Sequence, residues 1–220
     1  MTAGTAAVRE QVAAAARRLA DEGLLVGTAG NVSARVDEER VAVTATGVVL
    51  AGCTADDVTV VDLAGEVVEG RLAPTSEVDL HLGVLADTGT AAAVHTHAPW
   101  STAVACVLDE LPVIHYQQLL LGGDVRVAPY ATFGTPELAG HVRSALAGRQ
   151  AALMANHGSV AIGADLGAAV EHALLLEWLC QLHHRATALG EPRRLTERQQ
   201  HDVVVAALTR RYGTTQENPA

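Results

Sequence analysis

The chain has 220 residues, 49% of them apolar but only 3% aromatic, and a formal net charge of −10. That length and apolar content suit a single domain with a sizeable core, and no repeat or low-complexity linker divides residues 1–220. The acidic balance excludes a nucleic-acid partner, which needs a basic stripe, and the lack of a long apolar run or charged leader points away from the membrane to a cytoplasmic protein.

Residues 6–22 read as a helix stopped by Gly23. Short strands follow around Ser33–Val36, Val41–Thr44, Val58–Asp62 and Glu66–Glu69, with Asp, Gly and Glu at the turns. Pro74-Thr75-Ser76 opens a helix, with Ser76 as N-cap and Glu77 in the first turn. Residues 92–98 read as a buried strand, followed by a helix near Ser101–Leu108, a strand at Val125–Ala128 and a helix over 136–147 started by Thr135-Pro136-Glu137. The apolar run from Ala151 reads as a strand ending at His157 and turning back into Ser159–Ile162. Helices at about 166–188 and 196–211 close the chain, and the tail from about 213 is expected to be flexible. Many short early strands with mixed spacing predict an α/β fold with a largely antiparallel sheet covered by helices, and not a doubly wound parallel one.

His95 and His97 carry the clearest chemical signal. Two residues apart on one strand, they leave the same face, as a shared metal requires. His157 ends a second apolar strand and Glu77 opens a helix, which gives three imidazoles and one carboxylate, a set suited to Zn²⁺ or a neighbouring first-row ion. Glu77 can ligate such an ion or act as a general base once displaced from it. His81, one helical turn after Glu77, offers a rival metal pair on the same helix face.

The fifteen basic residues are all arginine, so any mechanism built on a lysine Schiff base is excluded, and a carbanion would need a metal or hydrogen-bond donors. Cys53, Cys106 and Cys180 are widely spaced and read as reduced core residues. Three small-residue segments could receive an anion: Gly27-Thr28-Ala29-Gly30-Asn31-Val32-Ser33, Thr44-Ala45-Thr46-Gly47 and Pro74-Thr75-Ser76-Glu77. The first lacks the lysine of a P-loop and the GxGxxG of a dinucleotide fold. Tyr116 could exchange a proton with a developing alkoxide or simply pack, and Phe133 could line a site or fill core. His172, His183, His184 and Glu177 read as a solvated or packed helix face, and His141, His201 and the Arg193-Arg194 and Arg210-Arg211 pairs as surface.

Taken in order, Gly27-Thr-Ala-Gly-Asn-Val-Ser33, Thr46-Gly47, Thr75-Ser-Glu77, His95-Thr-His97, Ile114-His-Tyr116, Pro129-Tyr-Ala-Thr-Phe-Gly-Thr135 and Asn156-His-Gly158 closely resemble the class II, zinc-dependent aldolase family that includes L-fuculose-1-phosphate aldolase and the N-terminal head of adducin. The resemblance runs from about residue 8 to 213. It implies a central sheet between helical layers and a homotetramer of four-fold symmetry with active sites at the subunit interfaces. It implies one Zn²⁺ per subunit on His95, His97 and His157, with Glu77 as fourth ligand and catalytic base. A phosphorylated sugar would be held by Thr28, Gly30, Asn31, Thr46, Gly47, Thr75 and Ser76. Tyr116 would enter from a neighbouring subunit, and Phe133 and Tyr212 would flank the aldehyde. The implied reaction is reversible cleavage of a ketose 1-phosphate such as L-fuculose 1-phosphate to dihydroxyacetone phosphate and a small aldehyde, through a metal-stabilised enediolate.

The chain departs from the resemblance at two places. Thr75-Ser76 replaces the usual pair of serines but keeps both hydroxyls, and Thr209 stands where the fuculose-phosphate enzymes place an aromatic. Within the same family, a ribulose-phosphate 4-epimerase is disfavoured by Glu in place of Asp at position 77, and a methylthioribulose-1-phosphate dehydratase is rejected less firmly. A non-catalytic adducin-like scaffold would be expected to lose the histidines, and all three are kept.

Overall fold

The computed structural model describes residues 3–209. The chain begins with α1 (Ala3–Asp21) and continues through β1 (Asn31–Arg35), β2 (Arg40–Thr44), β3 (Val58–Asp62) and β4 (Val67–Glu69). Next come α2 (Val78–Thr88), β5 (Ala92–Thr96), α3 (Pro99–Ala105), β6 (Glu110–Leu111), a short 3₁₀ segment Tyr116–Leu121 and β7 (Val125–Ala128). The last elements are α4 (Pro136–Leu146), β8 (Ala151–Met154), β9 (Gly158–Gly163), α5 (Leu166–Leu189) and α6 (Glu197–Thr209).

The nine strands form one sheet in the order β4-β3-β2-β1-β5-β9-β8-β7-β6. Every pairing is antiparallel except β7 with β8. The strand period of two divides the core into two layers. Val32 and Ala34 of β1 and Ala92 and Val94 of β5 join α1 and α5 residues such as Val12, Leu19 and Leu176 on one face. Val41 and Val43 of β2, Ala93 of β5 and Val160 and Ile162 of β9 meet Leu80, Leu85, Leu138 and Val142 of α2 and α4 on the other. The result is a three-layer α/β domain with a largely antiparallel sheet, as the strand pattern predicts.

Parity also decides where the polar residues go. Asn31 and Ser33 alternate with Val32 and Ala34, and His95 shares its parity with Ala93, so all three face the α2 side of the sheet. Asn31 stands directly opposite His95 in the β1–β5 register.

Four local readings change. Helix α2 has Glu77 at its N-cap position and no side-chain cap, so Ser76 lies one residue outside the helix. His157 sits in the Ala155–His157 turn between β8 and β9 and not at a strand end. β1 begins at Asn31, two residues earlier than expected, because pairing with β5 extends it. Cys53 and Cys180 are buried as expected, but Cys106 is exposed just past α3. Among the described residues, no helix is long and apolar enough to cross a membrane.

Candidate active site

The sheet register gathers the site at one end. Val160 of β9 pairs with His95 and Ser159 with Thr96, so the turn that holds His157 lies beside the end of β5. His97 follows one residue past that strand. On the other flank, an isolated bridge joins Ala45 to Pro74. The Thr75 N–H donates to the Thr44 carbonyl at 3.1 Å and the Thr46 N–H to the Ala73 carbonyl at 3.0 Å. These bonds bring Thr75, Ser76 and Glu77 alongside Thr46 and Gly47. Gly30 completes the approach: its φ is +93°, and a Cβ there would stand 2.9 Å from the His95 carbonyl oxygen.

The three imidazoles converge. The rings of His95, His97 and His157 are mutually edge-on, with centroids 4.8 Å apart for His95–His97 and His97–His157 and 4.9 Å for His95–His157. His95 Nε2 and His97 Nε2 are 2.9 Å apart. Glu77 places Oε2 3.2 Å from His95 Nε2 and Oε1 3.6 Å from His157 Nε2. His95 is fully buried, and its Nδ1 lies 2.9 Å from the Ser159 carbonyl. A carbonyl only accepts, so Nδ1 carries a proton and Nε2 is the nitrogen turned to the cluster.

A first-row metal ion fits this donor set. Tetrahedral ligands at about 2.0–2.1 Å stand roughly 3.4 Å from one another. The ligand atoms of the three histidines all lie within 4.8 Å of one another. Glu77 Oε1 is buried and has no hydrogen-bond partner, which is costly unless something electropositive meets it. Burial, and then the neighbouring His95 and His157, push His97 down to about 4. Burial, and then His95, also lower His157. Both imidazoles are therefore neutral near pH 7, as ligands must be. Burial pushes the Glu77 carboxyl up, but its contacts with His95, Asn31 and His157 together outweigh burial and hold it well below the usual carboxylate range.

A cleft of about 350 Å³ opens above the cluster and is lined by Glu77, His97, His157, Thr28, Gly30, Asn31, Thr46, Gly47, Thr75, Ser76 and Phe133. Sequence reasoning had named each of these as a site residue. One end of the cleft is formed by short loops of small and hydroxyl residues, which can receive a compact anion. Tyr130 and Phe133 also line the cleft and are each 64% exposed, so Phe133 is cleft wall and not core.

One expected residue is not brought in. Tyr116 does not line this cleft; it is half exposed on the 3₁₀ segment, with its ring against His115. Tyr212, like the tail from 213, lies outside the described residues. Three further residues escaped the sequence reading of the site. Tyr130 and Asn156 line the cleft, and Asn156 has φ 55°, the left-handed backbone that an Asn-His-Gly turn signals. Glu177 is tied to the helix after His97. His81 is no ligand here, because both of its ring nitrogens are engaged by Ser33 and Asn31.

Comparison with known proteins gives a consistent result. The model of the class II aldolase and adducin N-terminal domain family matches residues 10–184. A 5-methylthioribulose-1-phosphate/5-deoxyribulose-1-phosphate aldolase of Rhodospirillum rubrum is 39% identical over 188 residues, 84% of each chain. An L-fuculose phosphate aldolase of Escherichia coli K12 is 39% identical over 172 residues, covering 77% of this chain and 79% of the relative. A solved structure of an L-fuculose 1-phosphate aldolase superposes with a TM-score of 0.86 at 33% identity, covering 91% of this chain and 95% of the other.

Proposed function

The chain belongs to the family of class II aldolases and adducin N-terminal domains, and is one of its aldolases, a carbon–carbon lyase; from that premise we propose that it reversibly cleaves a ketose 1-phosphate to dihydroxyacetone phosphate and a short aldehyde. The observation that carries the proposal is the convergence of three imidazoles on a buried carboxylate with one unpartnered oxygen, at the floor of a cleft walled by small donor-bearing loops.

His95, His97, His157 and Glu77 would hold one Zn²⁺, which when bound supplies a Lewis acid for the carbonyl and hydroxyl oxygens of the ketose. The sequence offers no lysine for a Schiff base, which leaves a metal or hydrogen-bond donors to stabilise the carbanion. The phosphate would be taken by Thr28, Gly30, Asn31, Thr46, Gly47, Thr75 and Ser76. In the cleavage direction the C4 hydroxyl gives up its proton and the C3–C4 bond breaks, with its electrons passing toward the C2 carbonyl. Over the cleavage the proton lost from the C4 hydroxyl balances the one that C3 takes up; Glu77, held ionised in the resting site, would remove the C3 proton in the synthesis direction and, once protonated, return it in cleavage. Tyr116, absent from the cleft of its own chain, would meet the C4 oxygen from a neighbouring subunit of a homotetramer. Phe133 would flank the aldehyde, with Tyr212 beside it. The setting would be the cytoplasm.

Fuculose 1-phosphate, 5-deoxyribulose 1-phosphate and methylthioribulose 1-phosphate share carbons 1–3 and differ beyond them. The relative named for methylthioribulose 1-phosphate is an aldolase, which favours cleavage over dehydration. The test is metal analysis combined with a coupled assay for dihydroxyacetone phosphate release from these three ketose 1-phosphates. Release from at least one is expected, and none from any, with zinc bound, would sink the assignment.

A further inference from the structure

His81 is fully buried on α2, four residues after Glu77, and spans the gap to β1. Its Nδ1 lies 2.6 Å from Ser33 Oγ and its Nε2 2.5 Å from Asn31 Oδ1. Asn31 Nδ2 then donates to Glu77 Oε2 at 2.9 Å and to Thr75 Oγ1 at 3.0 Å.

The direction of every bond in this chain is determined. An ionised carboxylate only accepts, so the amide nitrogen of Asn31 faces Glu77 and the amide oxygen faces His81. The ring nitrogen opposite that oxygen must carry the proton, which leaves Nδ1 bare. The Ser33 hydroxyl therefore donates to Nδ1. The reversed amide would set its oxygen against the carboxylate, and the reversed tautomer would set two acceptors face to face.

We propose that His81 is a positioning residue for the proton-moving carboxylate: its Nε2–H locks the Asn31 amide so that the amide N–H groups aim Glu77 at the reacting carbon. The proposal rests on the reading of Glu77 as the base. It accounts for Ser33, Asn31 and His81 together, three buried polar residues beside an apolar layer of Val, Leu, Ala, Ile and Met. A histidine that only satisfied its own hydrogen bonds would have no stake in which way Asn31 points.

Two substitutions of like polarity separate these roles. Glutamine extends an amide N–H to about the reach of Nε2, whereas asparagine reaches only as far as Nδ1 and stops short of Asn31. His81→Gln is expected to keep kcat near that of the parent. His81→Asn is expected to lower kcat by about 10–100-fold, the usual cost of losing a group that orients a ligand or base, with zinc content little changed. Equal losses in both variants, or no loss in His81→Asn, would overturn the proposal. Should neither variant fold, nitrogen-15 spectra of histidine-labelled parent protein still decide: a proton on Nε2 of His81 is expected, and an Nδ1–H tautomer would overturn it. Glu77→Gln, assayed in parallel for proton exchange at C3 of dihydroxyacetone phosphate, keeps the two readings apart. If that variant exchanges normally, the role of Glu77 as base fails, and the tautomer of His81 is still measured independently.

Discussion

The Glu177 carboxylate on α5 accepts the backbone N–H of Trp100 at 2.8 Å, and its second oxygen accepts that of Ser101 at 2.8 Å. These are the first free N–H groups of α3, since Pro99 has none and the N-cap residue, Ala98, has no side chain able to cap. A long-range carboxylate therefore does what a local cap would do, at a helix that starts two residues after His97. Glu177→Ala is expected to cost about 1–2 kcal/mol, the usual price of a lost N-cap. It should also weaken zinc binding by loosening the His97 segment, while Glu177→Gln, with one acceptor left, loses less. Urea melts and a competitive zinc titration read the two effects, and unchanged zinc affinity in Glu177→Ala would separate the cap from the site.

Gly158 carries a similar constraint in the backbone. A Cβ at this position would run into the Thr96 carbonyl oxygen and stand 3.4 Å from the His95 ring. The obstacle is main chain at the centre of the sheet and cannot swing aside. Gly158→Ala should destabilise the fold by about 1–3 kcal/mol, as overpacked sites do. Because His157 is the preceding residue, the variant should also bind less than one zinc per chain. Calorimetry and elemental analysis on the same preparation test both, and full zinc with an unchanged Tm would show that the strands can part without cost.

How much of this was legible in the sequence follows from what fixes each residue. The two-residue spacing of His95 and His97 signalled their convergence although β5 ends at Thr96, short of His97, and the hydroxyl-rich loops showed themselves by composition. The meeting of Asn31 with His95 depends on the β1–β5 register, which alternation of apolar residues does not determine. His81 shows the same limit. Its spacing from Glu77 put the two about one turn apart at the start of α2, where Glu77 is the N-cap residue, but choosing between metal ligand and hydrogen-bond partner required knowing that Ser33 and Asn31 lie across from it. Glu177 was hidden for a different reason, because its partners are backbone N–H groups 76 and 77 positions away in the chain and leave no side-chain pattern to read.

Zinc should stabilise the protein measurably. A ligand that binds only the folded state adds RT ln(1 + [L]/Kd), about 4 kcal/mol at a thousandfold excess over Kd. Glu77 Oε1 is buried without a hydrogen-bond partner, so removal of the ion leaves that cost in place. Chelation should lower Tm, and added zinc should restore it in a concentration-dependent way. His95→Ala should lose both zinc and the shift, with far-UV circular dichroism unchanged. A Tm in the parent protein that does not respond to zinc would count against the centre.

Tyr116 offers the sharpest test of assembly. It is 51% exposed and outside the cleft of its own chain, so its proposed role in proton transfer requires a second subunit. In a closed ring each site would take Glu77 from one chain and Tyr116 from its neighbour. Glu77→Gln and Tyr116→Phe homo-oligomers should each be severely impaired. Co-expressed in equal amounts, they should form mixed rings in which about a quarter of the sites combine an intact Glu77 with an intact Tyr116. Recovery of roughly that fraction of parental kcat is expected, with the parental KM, since each restored site is complete. If Tyr116 instead served its own chain, no mixed site would carry both groups and co-expression would restore nothing.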